Sequence, residues 1–364
     1  MIVQAFQHEA LPGRIRFGRG AIAALAEEAE RLAVERVIIL TVPQQRAQAE
    51  AIAAILESRV AGVFDQAAMH TPVEVTEQAL SFVTARRADA VLSVGGGSAI
   101  GLGKAIALRT DLPQIVVPTT YAGSEATPIL GQTENGLKTT LRSLKVLPEV
   151  IVYDVDLTMT LPVALSMTSG LNAIAHAAEA LYAPDGSPLV SLMAEQGIAA
   201  MVEGLPRIHD APQDLEGRTQ ALYGAWLCGM CLGLVGMALH HKICHTLGGA
   251  FDLPHAETHA IMLPHTLAFN LPAAPDARDR LTRVFGGVDP ARALAELAAR
   301  VGAPRALRDI GMPEDGIATA AELAVRNPYA NPRPIDRDLV EGMLRRAWAG
   351  DWPQDEREGV DARS

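Results

Sequence analysis

Apolar and polar positions follow two different rhythms along the 364-residue chain, with the change near residue 160. Before it, short β-branched runs alternate with amphipathic stretches. "RVIIL" (36–40), "VAGVF" (60–64), "AVLSV" (90–94), "QIVVP" (114–118) and "VIVYD" predict strands, with helices over 46–58, 73–87 and the stretch after "AVLSV". This strand–helix alternation predicts an α/β unit with a mostly parallel sheet. Asn135-Gly136 reads as a hairpin turn. Beyond Leu161-Pro162 strand patterns largely vanish. Helical spacing covers 162–182, 188–206, 215–238, 273–285, 290–300, 303–309, 316–325 and 336–348. The expected organisation is an α/β domain over 1–160, an all-helical domain over 161–353 and a polar, frayed tail over 354–364.

Composition narrows the class. Apolar content of 49% with 20% charged residues describes a globular chain. A net charge of -11 without a long basic run argues against nucleic acid or an anionic membrane as partner. The first residues lack the order of a signal peptide and no apolar stretch reads as membrane-spanning. Cys228, Cys231 and Cys244 are sparse and odd in number, which suits a reduced, cytoplasmic protein. Cys228 and Cys231 form a C-x-x-C inside a small-residue helix, where packing is the favoured reading.

Two loops carry candidate ligand chemistry. In "AVLSVGGGSAIGLGKAIAL" a strand runs into Gly95, Gly96 and Gly97, and Ser98 lies in the first turn of the next helix. Such a turn aims backbone amides and a helix N-terminus at an anion, so a dinucleotide or phosphate fits; a tight turn without ligand is the alternative. "VVPTTYAGSEAT" follows the next strand and offers Thr119, Thr120 and Ser124 where α/β sheets bind ligands. The first strand ends at Thr41-Val42 with no acid for the adenosine ribose. Nothing there rejects the 2'-phosphate of NADPH, and Arg46 is close in sequence.

Six of ten histidines fall in "HHKICHTLGGAFDLPHAETHAIMLPH" (240–265). Upstream, "SGLNAIAHAAEAL" places Asn172 and His176 one helical turn apart, with Glu179 three residues on. A lone histidine is more often a hydrogen-bonded filler than a ligand, and His8, His70, His209, His240, His259 and His265 are expected to be structural. His176, His241 and His255 differ, being placed beside turns or on a buried helix. Three imidazoles hold a divalent metal best with a carboxylate. Asn172, a neutral amide, stands where that acid would complete the set.

These motifs, with "GLKTT" and "NPYANPRP", make the chain resemble the iron-containing (group III) alcohol dehydrogenase family, and within it the branch that reduces maleylacetate. The resemblance covers about residues 10–350. It implies a nucleotide-binding N-terminal domain, a helical C-terminal domain, an active site in the cleft between them and a homodimer. The family's metal ligands, one Asp and three His, fall on Asn172, His176, His241 and His255, and with the acid missing no metal is expected. The cofactor positions fall on Gly96, Gly97 and Ser98 for the pyrophosphate and on Thr119 and Thr120 for the nicotinamide, with Gly95, Ser124 and Thr41 beside them. His245 matches a further active-site histidine. The acid that selects NADH falls at Val42.

The implied reaction is NAD(P)H-dependent reduction of the conjugated C=C of maleylacetate, a small keto-dicarboxylate, to 3-oxoadipate, with chlorinated maleylacetates as further candidates. Hydride addition β to the ketone leaves an enolate that imidazolium or ammonium donors can stabilise without a Lewis acid. Lys242 and His241 are expected at the substrate, with His245 as donor; Lys104, Lys138, Arg142 and Lys145 are the other available cations. Arg333 is expected to brace an interface. The rival expectations are a metal-dependent alcohol or aldehyde reductase, glycerol-dehydrogenase-like or dehydroquinate-synthase-like chemistry, and a non-catalytic nucleotide binder.

Overall fold

The computed structural model describes residues 6–134 and 137–354, apart from the side chains of residues 137 and 138. The Asn135-Gly136 turn, the Lys138 side chain and the tail beyond 354 lie outside the described residues. The described chain forms two compact units, Ala10–Leu161 and the remainder.

The first unit is built on eight strands: β1 (Arg14–Gly18), β2 (Val37–Leu40), β3 (Val60–Phe64), β4 (Ala90–Gly95), β5 (Gln114–Pro118), β6 (Ile129–Glu134), β7 (Leu137–Arg142) and β8 (Val150–Asp154). Six form one parallel sheet in the order β1-β8-β5-β4-β2-β3; β6 and β7 pair antiparallel as a separate hairpin. Every residue of β2, β4, β5 and β8 is buried, because the sheet is covered on both faces. Val37 and Ile39 face α1 (Leu25–Arg31) and α2 (Arg46–Leu56). Ile38 and Leu40 face α3 (Val73–Ala85) and α4 (Gly97–Thr110).

Strand β1 was not among the expected elements. "RIRFG" alternates arginines with apolar residues at a sheet edge, and its partner is the fully buried Glu28 of α1. Glu28 accepts Arg14 Nε at 2.8 Å, Arg16 Nε at 2.6 Å and Arg31 Nε at 2.9 Å.

The second unit comprises α5 (Val163–Ala180), α6 (Pro188–Asp210), α7 (Leu215–Leu234), α8 (Leu239–Phe251), α9 (His255–Asn270), α10 (Pro275–Val284), α11 (Pro290–Arg300), α12 (Gly316–Val325) and α13 (Arg337–Ala349). Residues 166–180 of α5 are all buried, with α6, α7 and α9 packed around them. Gly204 lets α6 and α7 meet backbone to backbone: a Cβ there would lie 2.8 Å from Gly217 O and Ala221 N.

Two expected helices differ. The run over 215–238 stops at Leu234, and the chain turns by 95° into α8; Gly236 N in the break donates to the Asp185 carboxylate. The helix expected over 303–309 is only a 3-10 turn at Leu307–Ile310, because Gly302 is left-handed and Pro304 follows. Among the described residues no single helix is long and apolar enough to cross a membrane.

Desolvation pushes the Glu28 carboxyl up, but three guanidiniums outweigh it and bring its pKa down to about 2. A depressed carboxyl stabilises the fold fully above its unfolded value and loses that contribution as pH falls through about 2. Glu28→Gln is expected to cost about 1–3 kcal/mol at neutral pH. In urea titrations the gap to the native protein should shrink as pH falls from about 4.5.

Candidate active site

In the α/β unit the turn from β4 into α4 is shaped by what a side chain would hit. Gly95 has φ +144°, and a Cβ on it would lie 2.7 Å from Gln45 Oε1. A Cβ on Gly96 would lie 2.8 Å from Thr120 Cγ2, whereas Gly97 faces open space. Gly97 and Ser98 open α4, so free amides and the positive end of the helix are presented together. Gly95 O accepts Thr119 N at 3.1 Å, which ties this turn to the loop after β5. Thr119 is buried and its hydroxyl accepts Gln45 Nε2 at 2.7 Å; Thr120 is half-buried. Gln45, just after β2, therefore belongs to the candidate phosphate site. A polar residue after a strand end was the only sequence signal for it.

Thr41 takes a different part from the expected one. It is fully buried and its hydroxyl donates to Val94 O at 2.9 Å, bracing β2 against β4. Arg46 is likewise committed, donating to Asp65 at 2.7 Å and Glu50 at 3.0 Å.

Lys104 is not available to a substrate carboxylate. It is buried, and Nζ donates to Ser124 O (2.6 Å), Thr127 O (2.7 Å), Ile129 O (2.9 Å) and Thr127 Oγ1 (3.0 Å), clamping the loop after β5. Burial pulls its pKa down to about 7, with buried Glu125 opposing, and burial pushes Glu125 up to about 7. The Ser124 hydroxyl is buried without a hydrogen-bond partner. Lys145 pairs with Asp111 at 3.4 Å, and Arg142 is exposed on β7.

In the helical unit, six imidazoles form one continuous array anchored on Glu179. One Glu179 oxygen accepts His240 N at 2.8 Å; the other accepts Ala238 N at 3.0 Å and His241 Nδ1 at 2.6 Å. A buried carboxylate from α5 thus caps the first turn of α8 and grips the ring of His241. His241 Nε2 in turn meets His176 Nδ1 at 2.8 Å. A second pair, His240 Nε2 and His259 Nδ1, lies at 2.9 Å, with His240 Nδ1 on Thr266 Oγ1 at 3.0 Å. Ring centroids link the pairs: His241–His259 at 5.1 Å, His255–His259 at 4.3 Å and His245–His255 stacked at 6.2 Å. The array runs from exposed His245 through half-buried His255 to buried His176, His240, His241 and His259. Burial, reinforced by the neighbouring rings, holds His240 and His259 far below the usual imidazole pKa, so both are neutral.

Lys242 is half-buried on the helix that carries His241 and His245. Arg333 has a place within the helical unit. It is buried in the helical unit, donates to Phe269 O at 3.1 Å and stacks on the Phe269 ring.

A divalent metal on Asn172, His176, His241 and His255 fits these donors poorly. His241 Nε2 and His176 Nδ1 are spent on each other, and the Asn172 carbonyl oxygen is neutral and unpartnered. The nearby carboxylate, Glu179, is saturated by α8 amides and His241. His240, Cys244 and His259 have donor atoms within 4.8 Å of one another. That group lacks a carboxylate, and burial pushes the Cys244 thiol well above its usual pKa.

The glycine geometry makes a direct prediction. Gly95→Ala must accommodate a side chain at φ +144° against Gln45. NADH affinity, read by fluorescence titration, is expected to fall at least about tenfold, on the order of 1.4 kcal/mol, and the strained turn is expected to lower stability against thermal unfolding as well, by about 1–3 kcal/mol.

Comparison with known proteins agrees with this architecture. Residues 12–155 match the iron-containing alcohol dehydrogenase family, and residues 166–348 match the C-terminal part of the Fe-containing alcohol dehydrogenase family. A maleylacetate reductase from Rhizobium sp. is 55% identical over 97% of this chain and 100% of its own length. One from Sphingobium indicum is 52% identical over 95% and 98%. The crystal structure of maleylacetate reductase from Agrobacterium tumefaciens superposes with a TM-score of 0.93 at 56% identity, covering 96% of this chain and all of that one. The chain belongs to the iron-containing alcohol dehydrogenase family and is an oxidoreductase.

Proposed function

We propose that this chain is a maleylacetate reductase, transferring hydride from NAD(P)H to the conjugated C=C of maleylacetate and yielding 3-oxoadipate in aromatic-compound breakdown. The observation that carries the reading is the Glu179–His241–His176 chain beside Lys242, with the amide Asn172 where an acidic ligand would be needed. Near-full-length relatives at 50–55% identity that carry this activity support it.

Bound NAD(P)H supplies the hydride. The half-buried ammonium of Lys242 binds a substrate carboxylate in a protein of net charge -11. Hydride addition β to the ketone moves negative charge onto the ketone oxygen, where imidazole N–H groups stabilise it. The Glu179 carboxylate meets His241 Nδ1 at 2.6 Å, so the ring keeps one orientation. Exposed His245 delivers the proton to the enolate carbon and is recharged from solvent.

The donor set supports turnover without a resident metal. No carboxylate facing the ribose stands at Val42, and Arg46 is neutralised by its acids, which supports use of NADH with NADPH also accepted. The reading includes a homodimer working in the cytoplasm, in keeping with three buried free thiols.

NADH oxidation with maleylacetate, with 3-oxoadipate identified as product, tests the function. Lys242→Met is expected to raise KM for maleylacetate about 10- to 100-fold, from loss of a charged hydrogen bond of about 1.5–3 kcal/mol, and to leave KM for NADH unchanged. An unchanged KM for maleylacetate removes Lys242 from the site.

A further inference from the structure

We propose that Asn331 is a positioning residue for the reaction: its side-chain amide ties the first turn of α8 to the last residue of α9 and so fixes where Lys242 is presented. The proposal rests on the reading of Lys242 as the cation that binds a substrate carboxylate. Within "NPYANPRP" the charge of Arg333 draws attention first, but the hydrogen bonds that reach α8 come from Asn331.

A helix start leaves amides that need acceptors from elsewhere. The N-cap of α8 is Ala238, which has no side-chain acceptor, and the chain has just turned by 95°. Glu179 accepts Ala238 N at 3.0 Å, His240 N at 2.8 Å and His241 N at 3.4 Å. The amide between them, Leu239 N, donates to Asn331 Oδ1 at 3.3 Å. From Lys242 onward the helix supplies its own acceptors, beginning with Ala238 O at 3.1 Å. The turn that ends at Lys242 is therefore capped by two side chains from outside the helix. One of them, Asn331, lies on the loop between α12 and α13.

Asn331 can serve because its own orientation is fixed. Arg333 O, which only accepts, lies 2.7 Å from Asn331 Nδ2, so the amide oxygen is the atom that faces Leu239 N. Asn270, fully buried at the end of α9, completes a reciprocal amide pair. Its Nδ2 donates to Asn331 Oδ1 at 3.0 Å, and its Oδ1 accepts Asn331 Nδ2 at 2.8 Å. Asn270 Nδ2 also donates to the Tyr182 hydroxyl at 3.4 Å, which in turn donates to Glu179 Oε1 at 3.5 Å. These bonds close a ring from Glu179 through α8, Asn331, Asn270 and Tyr182 back to Glu179. A polar network whose members satisfy one another holds a single arrangement. Without Asn331 the first turn of α8 can shift by the order of 1 Å that separates productive from unproductive contacts.

A double-mutant cycle separates positioning from packing. Asn331→Ala is expected to raise KM for maleylacetate about tenfold and to leave KM for NADH unchanged. In a Lys242→Met background the same substitution should raise KM by less than about twofold, because the contact it acts through is already gone. Resistance to thermal unfolding should fall equally in both backgrounds, as packing alone would also require. An unchanged KM in Asn331→Ala, or the full rise in both backgrounds, overturns the proposal. If the variant does not fold, amide hydrogen exchange in the native protein decides. A Leu239 N–H that exchanges as slowly as those inside α8 supports the tie, and one that exchanges like a frayed end overturns it. A native enzyme that does not oxidise NADH with maleylacetate defeats the functional reading instead, and hydrogen exchange then decides the place of Asn331 alone.

Discussion

The carboxylate of Glu179 does two jobs at once, and the histidine array of the helical unit depends on both. It satisfies amides at the start of α8, where the chain has just turned by 95°, and it meets His241 Nδ1 at 2.6 Å. The first job fixes where α8 begins, hence where His241, Lys242 and His245 are presented. The second fixes the ring of His241 and, through it, His176. A buried carboxylate is costly unless fully hydrogen-bonded, and this one is. Removing its charge would loosen the helix start and the imidazole chain together, so fold and chemistry share one residue.

The same economy of placement governs the α/β unit. Gly95 and Gly96 are required by what presses on them, Gln45 and Thr120, and the tightness of that turn aims the first amides of α4. Lys104 works from below, its ammonium holding three carbonyls of the next loop in place. Both loops are thus pre-formed, which lowers the ordering cost of binding an anion.

Much of this was legible in the sequence. The strands from β2 to β5 and β8 stand out because they are buried on both faces and read as unbroken apolar runs. Edge strand β1 does not, because its arginines look like surface until Glu28 is placed beneath them. Spacing put Asn172 and His176 on one helical face, and the family resemblance of "SGLNAIAH" marked Asn172 as the place of an acid. The use made of Glu179 could not be read in this way, because it depends on α8 arriving from 60 residues away in sequence and on a helix break that apolar periodicity conceals. Lys104 was misjudged for a related reason: a lysine after a glycine-rich turn looks like a ligand for anions, and only the packed loop shows it sealed. Thr41 looked like a cofactor contact at a strand end, yet its proton belongs to the sheet.

On the proposed function, hydrogen-bonded imidazoles and Lys242, not a Lewis acid, stabilise the charge that develops on the substrate. Turnover of maleylacetate with NADH by protein stripped with a chelator, with residual metal quantified, tests it most directly. Full kcat at metal content far below one equivalent, unchanged by added Fe(II) or Zn(II), is expected. Activity that disappears on stripping and returns in proportion to bound metal would contradict it.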